Sequence, residues 1–457
     1  MAHFSWLAPA PFIGACPICG ASGGHMAEIE TSHPLPGRNP IRFIRCGGCA
    51  SIFADPPGCL DYDLAGGLPE SYLRHYLEVG AGIHAMIRRA AAVRGARDKS
   101  FLDVGCGYGF AVDAWRRQLC PDSVGVELAQ YGRTGAERLG VTIHDRLLGQ
   151  IPELDGRRFG IVQAIEVIEH VPDIQAFLAD LDAMLAPGGV LALSTPCADF
   201  IHPNNYPAEM VGLLSPGFHA FLFSRQALAD ALRTRFPHVL VRIEREALSA
   251  WASHAPFELD PSLAEEIYIP YLEQLWALCA ERDALYDGIA YRLFKEKLNR
   301  GDIAGAAPPM RALEESYREK YGQDMLDPER AGELGAISDI AQYDRLPFGL
   351  AAYHFFRATY ARLAENDPHR AALGFSAAAR IALAGGGVYP AYFQEALSFV
   401  WIARQQEGVA WAVAGDNARA GTVFDEILAA HANGQDLPIR PDDALAKSVA
   451  QNRADIA

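Results

Sequence analysis

The chain has 457 residues, of which 50% are hydrophobic and 21% charged, as in an ordinary globular protein. Its formal net charge of -16 disfavours a nucleic-acid substrate, because binding to phosphates depends on lysine and arginine. The sequence has no apolar run of the ~20 residues that a membrane-spanning helix needs, and its N-terminus does not resemble a signal peptide. We therefore expect a cytoplasmic protein without a membrane span.

The first segment, residues 1–62, is rich in cysteine, glycine and proline. It contains two Cys-x-x-Cys motifs, whose thiolates favour tetrahedral zinc. Four cysteines would fill every coordination position, so we predict a zinc ribbon with a structural metal and the ligands Cys16, Cys19, Cys46 and Cys49. A redox pair is the alternative, but the motifs have no thioredoxin-like context.

Residues 63–97 read as a helical linker or lid, with one amphipathic helix over 69–97 that ends in several arginines. Tyr72, Tyr76 and Tyr206 could line a lid or a pocket, although aromatic side chains more commonly pack in a core.

Residues 98–254 alternate short apolar runs with helical patterns, which is typical of a parallel sheet with crossover helices. We predict helices over 173–185 and 225–235, with Ser224 as the N-cap of the second. The predicted strands are 100–104, 123–127, 141–144, 159–165, 190–195, 238–243 and 247–254.

A glycine-rich loop follows the first of these strands, where residues 102–109 read Leu-Asp-Val-Gly-Cys-Gly-Tyr-Gly. Glycine lets the backbone approach a ligand closely, and the N-terminus of the next helix offers unpaired N–H groups. A dinucleotide-binding domain is the rival interpretation, but Phe110 and Ala111 stand where its fingerprint would continue. Glu127, at the end of the second strand, could bind ribose hydroxyls of either cofactor.

Four segments in order resemble the class I S-adenosylmethionine-dependent methyltransferases. They are the glycine loop, the Glu-Val-Ile-Glu-His-Val of 166–171, the Leu-Ala-Pro-Gly-Gly-Val of 185–190, and Thr195-Pro196 followed by 217–224. The last of these is similar to a Pro-x-His-x-x-x-Phe-Ser stretch of small-molecule methyltransferases, including the ubiquinone-biosynthesis type. The resemblance implies an α/β fold with a Rossmann-like sheet and S-adenosylmethionine as the methyl donor.

The resemblance also implies which residues bind the cofactor. The loop would hold its methionine part, Glu127 its ribose, Asp145 its adenine, and Glu166 would lie on the sulfonium side. Gly160 and Leu147 stand where the family usually has aspartate. These departures weaken the case for the adenine contact but do not affect the glycine loop or Glu127. The loop residues concerned are Asp103, Gly105, Cys106, Gly107 and Gly109.

His219 is the candidate general base or substrate ligand, because histidine titrates near neutrality and the motif faces the substrate side. The alternative for His219 is a residue that anchors its loop by hydrogen bonds, and His170 is expected to be structural. No acidic triad can be placed from the sequence, so we predict no catalytic metal.

Residues 255–457 are helical and carry a faint repeat, in which 301–306 resembles 415–420 and a weaker copy lies at 366–371. This pattern is similar to tetratricopeptide helical hairpins, and an irregular all-α bundle is the alternative. Such a domain could complete the pocket, mediate oligomerisation or dock a partner protein.

The chain is thus expected to transfer a methyl group to a small-molecule or sugar-like acceptor. Zinc ribbons precede the catalytic domain in some sugar and natural-product methyltransferases, which favours such acceptors. Two alternatives are methylation of a protein or carrier-bound substrate docked on the helices, and a scaffold with a degenerate methyltransferase domain. The intact glycine loop and Glu127 argue against the scaffold.

Overall fold

The computed structural model describes residues 4–33, 38–58, 70–205, 207–334, 342, 345–434 and 437–456. These residues form two sheets and a large helical region. The strands are β1 (Phe4–Phe12), β2 (His25–Thr31), β3 (Ile41–Arg45), β4 (Ile52–Asp55), β5 (Phe101–Val104), β6 (Ser123–Val126), β7 (Ile143–His144), β8 (Phe159–Ile165), β9 (Leu185–Pro196), β10 (Phe221–Leu222), β11 (His238–Glu244) and β12 (Ala247–Ser253).

The helices follow the same chain order. They are α1 (Glu70–His75), α2 (Ile83–Ala91), α3 (Phe110–Gln118), α4 (Gln130–Leu139), α5 (Ile174–Ala183), α6 (Pro207–Leu214), α7 (Arg225–Arg233), α8 (Ser262–Leu278), α9 (Ala284–Asn299), α10 (Ile303–Tyr321), α11 (Pro328–Leu334), α12 (Leu350–Tyr360), α13 (Pro368–Val388), α14 (Gln394–Val413), α15 (Asn417–Asn433) and α16 (Asp443–Asp455). Two π-helical turns cover Tyr76–Gly80 and Ala361–Glu365.

The larger sheet has the strand order β11-β12-β9-β8-β5-β6-β7. Its strands from β9 to β7 are parallel, and β12 and β11 add an antiparallel edge. All four residues of β5 are buried, as expected for a central strand covered by helices on both faces. The chain continues from β5 to β6 on one side while β8 lies on the other, so the strand order reverses beside β5. Ligands of open α/β sheets bind at such a reversal, outside the carboxyl ends of the strands.

Helices cover both faces of this sheet, which is the Rossmann-like α/β fold expected from the sequence. On one face α2, α3 and α8 pack around the buried Phe101, Trp115 and Tyr271. On the other, α5 packs against β9, and α7 packs against β11 and β12. The Pro-Gly-Gly of the family-like segment 185–190 lies inside β9, which begins with an irregularity in its pairing to β8.

The smaller sheet is antiparallel, in the order β1-β2-β3-β4-β10. Four strands come from the cysteine-rich segment, and β10 comes from the chain after β9. The sequence did not predict β10, because two residues are too short to show an alternating pattern. The two predicted domains therefore share a sheet.

The predicted helix over 69–97 is wrong as a single element. The described chain forms α1, the π-helical turn Tyr76–Gly80 and α2, and residue 69 lies outside the described residues. Ala81 is extended between Gly80 and Gly82, which breaks the helix. The predicted boundary at 62/63 lies in a part of the chain that is not described.

In the C-terminal region most consecutive helices pack against each other, and the repeats seen in the sequence lie at three of the turns between them. Asp302, Asp367 and Asp416 each cap the following helix by accepting a backbone N–H. Packing crosses the predicted boundary at 254/255, because α8 shares a core with α2 and α3.

Helix α13 alone in the described chain is long and apolar enough to cross a membrane, with a mean hydropathy of 1.4. Of its apolar stretch, 61% is buried within the protein, and core helices of globular proteins pass the same test.

Candidate active site

The glycine loop lies at the carboxyl end of β5, beside the reversal in strand order. Gly105, Gly107 and Gly109 have φ values of 72°, 60° and 92°, in the left-handed region that favours glycine. A Cβ on Gly105 would lie 2.4 Å from Val167 Cγ2, and one on Gly109 would lie 2.7 Å from Ile143 Cδ1. The loop therefore requires glycine both for its conformation and for its close packing.

Glu127 lies beside this loop at the end of β6. Its Oε2 accepts a hydrogen bond from Gly107 N at 2.9 Å, and its Oε1 accepts one from Ala129 N at 2.9 Å. The carboxylate is thus fixed against the loop predicted to hold the methionine part of the cofactor.

Asp103 is buried at the end of β5, where its Oδ1 accepts a hydrogen bond from Gln163 Nε2 at 3.1 Å. Burial raises the pKa of Asp103 to about 7, and the bond from Gln163 opposes this shift. Cys106 is also buried and lies against Gly125, so it contributes a compact side chain to the loop.

Asp145, predicted to meet the adenine, lies after β7 near the exposed surface. Its Oδ2 is 3.4 Å from Arg133 Nη1, and about half of each side chain is exposed. Asp145 is half-exposed, whereas Glu127 is hydrogen-bonded to the glycine loop. The role of Asp145 at the adenine therefore stays a prediction.

Glu166 follows β8 directly and has a φ of 56°, an uncommon conformation for a side chain with a Cβ. Ser194 Oγ donates a hydrogen bond of 2.6 Å to Glu166 Oε1. Although Glu166 is exposed in part, the surrounding protein displaces enough water to raise its pKa, against the effects of Ser194 and Arg89. Strained backbone of this kind is concentrated at functional sites.

Three side chains converge next to Glu166. Glu169 Oε1 lies 3.8 Å from His170 Nε2 and 4.0 Å from His219 Nε2. His170 Nδ1 donates to Phe218 O and His219 Nδ1 donates to Leu213 O, each at 2.8 Å. These bonds direct both Nε2 atoms toward the carboxylate.

Burial governs the protonation of this cluster. It lowers the pKa of His219 to about 3, with a further decrease from His170, and it lowers the pKa of His170. Burial also raises the pKa of Glu169 well above its usual range, and Glu166 adds to this shift. Among the described residues, neither Glu169 oxygen makes a hydrogen bond of good geometry.

The ligand atoms of Glu169, His170 and His219 lie within 4.8 Å of one another and could hold a metal ion. Metal-bound histidines commonly donate their second N–H to a backbone carbonyl, as both histidines do here. Sequence reasoning missed this group, since His219 is far from the other two in the chain. The neighbouring Glu-His pair in 166–171 was the available signal.

The four predicted zinc ligands also converge, with their Sγ atoms within 4.8 Å of one another. The distance from Cys16 Sγ to Cys49 Sγ is 3.9 Å and that from Cys19 Sγ to Cys46 Sγ is 3.6 Å. Zinc–sulfur bonds of 2.3 Å in a tetrahedron separate sulfurs by about 3.8 Å, so the site fits the ion. His25 is not in this group, because its Nε2 bonds Ala21 O and its Nδ1 accepts from Gly47 N.

Tyr72 and Tyr76, considered above for a lid, lie in the segment before α2, and Tyr76 reaches the glycine loop. Tyr206 lies outside the described residues.

Residues 73–235 match a family described as a methyltransferase domain. The chain is 37% identical over 177 residues to a ubiquinone biosynthesis O-methyltransferase of Bradyrhizobium, covering 37% of this chain and 68% of that protein. It is 35% identical over 112 residues to the enzyme of that name from Azorhizobium caulinodans, covering 23% of this chain but only 44% of that relative.

Among solved structures, the chain is similar to an S-adenosylmethionine-dependent methyltransferase, a possible histamine N-methyltransferase, from Thermotoga maritima. The identity is 16%, the TM-score is 0.30, and the match covers 40% of this chain and 94% of that one.

Proposed function

This chain belongs to the class I S-adenosylmethionine-dependent methyltransferases, and from that premise we propose that it methylates a hydroxyl oxygen of a small-molecule or sugar-like acceptor. The observation that carries the proposal is the cluster of Glu169, His170 and His219 next to Glu166. The names of the relatives, which are O-methyltransferases, support the choice of oxygen.

S-adenosylmethionine would lie across the carboxyl ends of β5, β6 and β8. The positive φ values of the glycine loop allow close approach of its methionine part, and Glu127 offers two carboxylate oxygens to the ribose. Asp103 and Glu166 would face the same cleft. The bound cofactor supplies an electrophilic methyl group.

A hydroxyl must lose its proton as its oxygen attacks the methyl carbon. His219 Nε2 would accept the proton that the hydroxyl loses when its oxygen takes the methyl group. The Nδ1 hydrogen bond to Leu213 O fixes the ring in the tautomer that accepts at Nε2. Holding the hydroxyl and the methyl group in line would supply much of the rate.

Zinc at Cys16, Cys19, Cys46 and Cys49 would be structural, because the four thiolates leave no position for a substrate. The group of Glu169, His170 and His219 offers a second way to activate a hydroxyl. A divalent ion there would lower the pKa of a coordinated hydroxyl as a Lewis acid.

The test of the proposed function is calorimetric titration with S-adenosylhomocysteine. We expect micromolar binding, weakened by about a hundredfold in Glu127→Ala, because two charged hydrogen bonds to the ribose are lost. Glu137→Ala, at an exposed position of α4, is the matched control and should bind as the wild type does. A folded wild-type protein that does not bind would contradict the proposal.

A further inference from the structure

Tyr76 extends over the glycine loop from the lid segment, which we define as Glu70–Gly80. A Cβ on Gly107 would lie 3.0 Å from Tyr76 Oη. The Tyr76 ring packs near those of Phe110 and Tyr131, with centroid distances of 6.3 and 5.9 Å. Burial raises the pKa of Tyr76, and Tyr72 and Glu127 add to the shift. The hydroxyl thus lies beside the two elements that would bind the cofactor.

This hydroxyl has a weak hydrogen-bond partner within the protein. It donates to Met86 Sδ at 3.9 Å, and a thioether sulfur is a poor acceptor. A hydroxyl in this state can form a stronger bond with a polar ligand atom at the glycine loop.

The lid segment is held from the helical region, chiefly by Arg292 of α9. The buried guanidinium donates to Leu77 O and Ala81 O at 2.8 Å each, and to Glu78 O at 3.2 Å. It also donates to Gly288 O at 2.9 Å within its own helix. Arg292 therefore supplies hydrogen bonds to the carbonyls of the π-helical turn that begins at Tyr76.

Close packing and side-chain contacts add to this attachment. A Cβ on Gly288 would lie 1.9 Å from Leu77 O, so glycine is needed for α9 to approach. The buried Glu78 accepts from Phe348 N at 2.7 Å, and Arg74 Nη2 donates to Leu346 O at 2.8 Å. On the helical side, every residue in these contacts lies beyond residue 235, where the methyltransferase match ends.

A π-helical turn holds one residue more than a regular turn. If it relaxed to a regular helix, the side chains before and after it would rotate by about 100° relative to each other. The hydrogen bonds from Arg292 to the turn therefore fix the direction of Tyr76 with respect to the rest of the segment.

We propose that the helical C-terminal region is part of the cofactor site, because Arg292 positions the lid segment so that Tyr76 contacts bound S-adenosylmethionine. Tyr76 touches the cofactor, and Arg292 is a positioning residue that acts through it. This inference rests on the proposed function, since it presumes that the glycine loop binds the cofactor.

A double-mutant cycle tests the coupling. S-adenosylhomocysteine is titrated into the full-length wild type, Tyr76→Phe, Arg292→Lys and the double variant. We expect each single change to weaken binding about tenfold, and the double variant to bind no more than about tenfold more weakly than the wild type. If Arg292 does not act through Tyr76, the two losses of affinity should add to about a hundredfold in the double variant. If neither residue bears on the cofactor, the variants should bind as the wild type does.

The matched control is Arg357→Lys, which alters another buried arginine of the helical region. Arg357 bonds Glu314 and Glu365 and should leave binding unchanged. If Arg292→Lys does not fold, Gly288→Ala displaces Leu77 O instead and should weaken binding to a similar extent.

Normal binding by the folded variants, or additive losses, would overturn the proposal. A wild type that does not bind would overturn this proposal and the proposed function together, whereas binding that only Glu127→Ala weakens would overturn this one alone.

Discussion

At the scale of single residues, His219 shows how two alternatives can both describe one side chain. From the sequence, His219 was expected to act as a general base or substrate ligand, or else to anchor its loop by hydrogen bonds. In the structure, Nδ1 anchors the ring to Leu213 O while Nε2 faces Glu169 at 4.0 Å. The anchoring role is therefore observed, and because the bond leaves Nε2 without the proton it is compatible with the base, which stays a proposal.

His219→Asn should lower kcat by about a hundredfold or more, because it removes the proton acceptor, while the affinity for S-adenosylhomocysteine should change little. With a pKa of about 3, wild-type His219 is almost wholly unprotonated from pH 5 upward. We therefore expect no loss of kcat from its protonation between pH 5 and pH 8. The measurement is a pH profile of kcat with a hydroxylated acceptor, beside calorimetry.

The control for this change is His254→Asn, which alters a half-exposed histidine and should retain full activity. Activity that is lost on chelation and returns with Mg²⁺ or Mn²⁺, while zinc stays bound at the four cysteines throughout, would contradict the base mechanism and favour a metal at Glu169, His170 and His219.

At the scale of elements, the cysteine-rich segment supports the chain around His219. Ala54 N donates to Ala220 O at 2.9 Å, and Ser224 Oγ donates to Cys49 O at 2.6 Å. With β10 paired to β4, these bonds hold residues 220–224 against the ribbon. A structural metal in the ribbon would thereby stabilise the substrate side of the cleft.

Cys46→Ser should abolish stoichiometric zinc and lower the free energy of unfolding by several kcal/mol, since metal binding contributes to folding. The loss of activity should exceed the loss of S-adenosylhomocysteine affinity, because β10 is nearer to His219 than to the glycine loop in the chain. Metal analysis, calorimetry and an activity assay check this, with Cys120→Ser as the control. Wild-type protein without metal, or a variant that keeps it, would contradict the prediction.

At the scale of the whole molecule, the helical region is a packed body with titratable groups in its core. His354 is buried in α12, and its Nε2 donates to Met325 O at 2.9 Å. Burial lowers the pKa of His354 to about 4, and the hydrogen bond opposes this shift.

A histidine with a lowered folded-state pKa costs stability as the pH falls, because the unfolded chain takes up the proton first. For His354 this cost develops between about pH 6.5 and pH 4 and reaches about 2 kcal/mol at pH 5. His354→Gln can keep the donor to Met325 O, so its stability should fall by about 2 kcal/mol less than that of the wild type between pH 8 and pH 5. Urea unfolding at both pH values measures this.

His369→Gln, at an exposed position of α13, is the matched control and should follow the wild type at both pH values. A parallel decline of His354→Gln and the wild type would mean that His354 does not titrate as its burial implies.

The sequence by itself determined the class of the sheet, the glycine loop, the four-cysteine group and the capped turns of the helical region. These depend on local causes: apolar periodicity, backbone conformations that favour glycine, the spacing of thiols, and aspartates that cap the helix next to them. Each acts within a few residues, so it can be read along the chain.

Only the tertiary structure decided which distant segments meet. It joined β10 to the ribbon, brought His219 to Glu169, and ended the lid segment in a π-helical turn held by Arg292. These contacts are between residues far apart in the chain, where burial and close packing override local propensity. A single sequence carries no periodic or spacing signal for them.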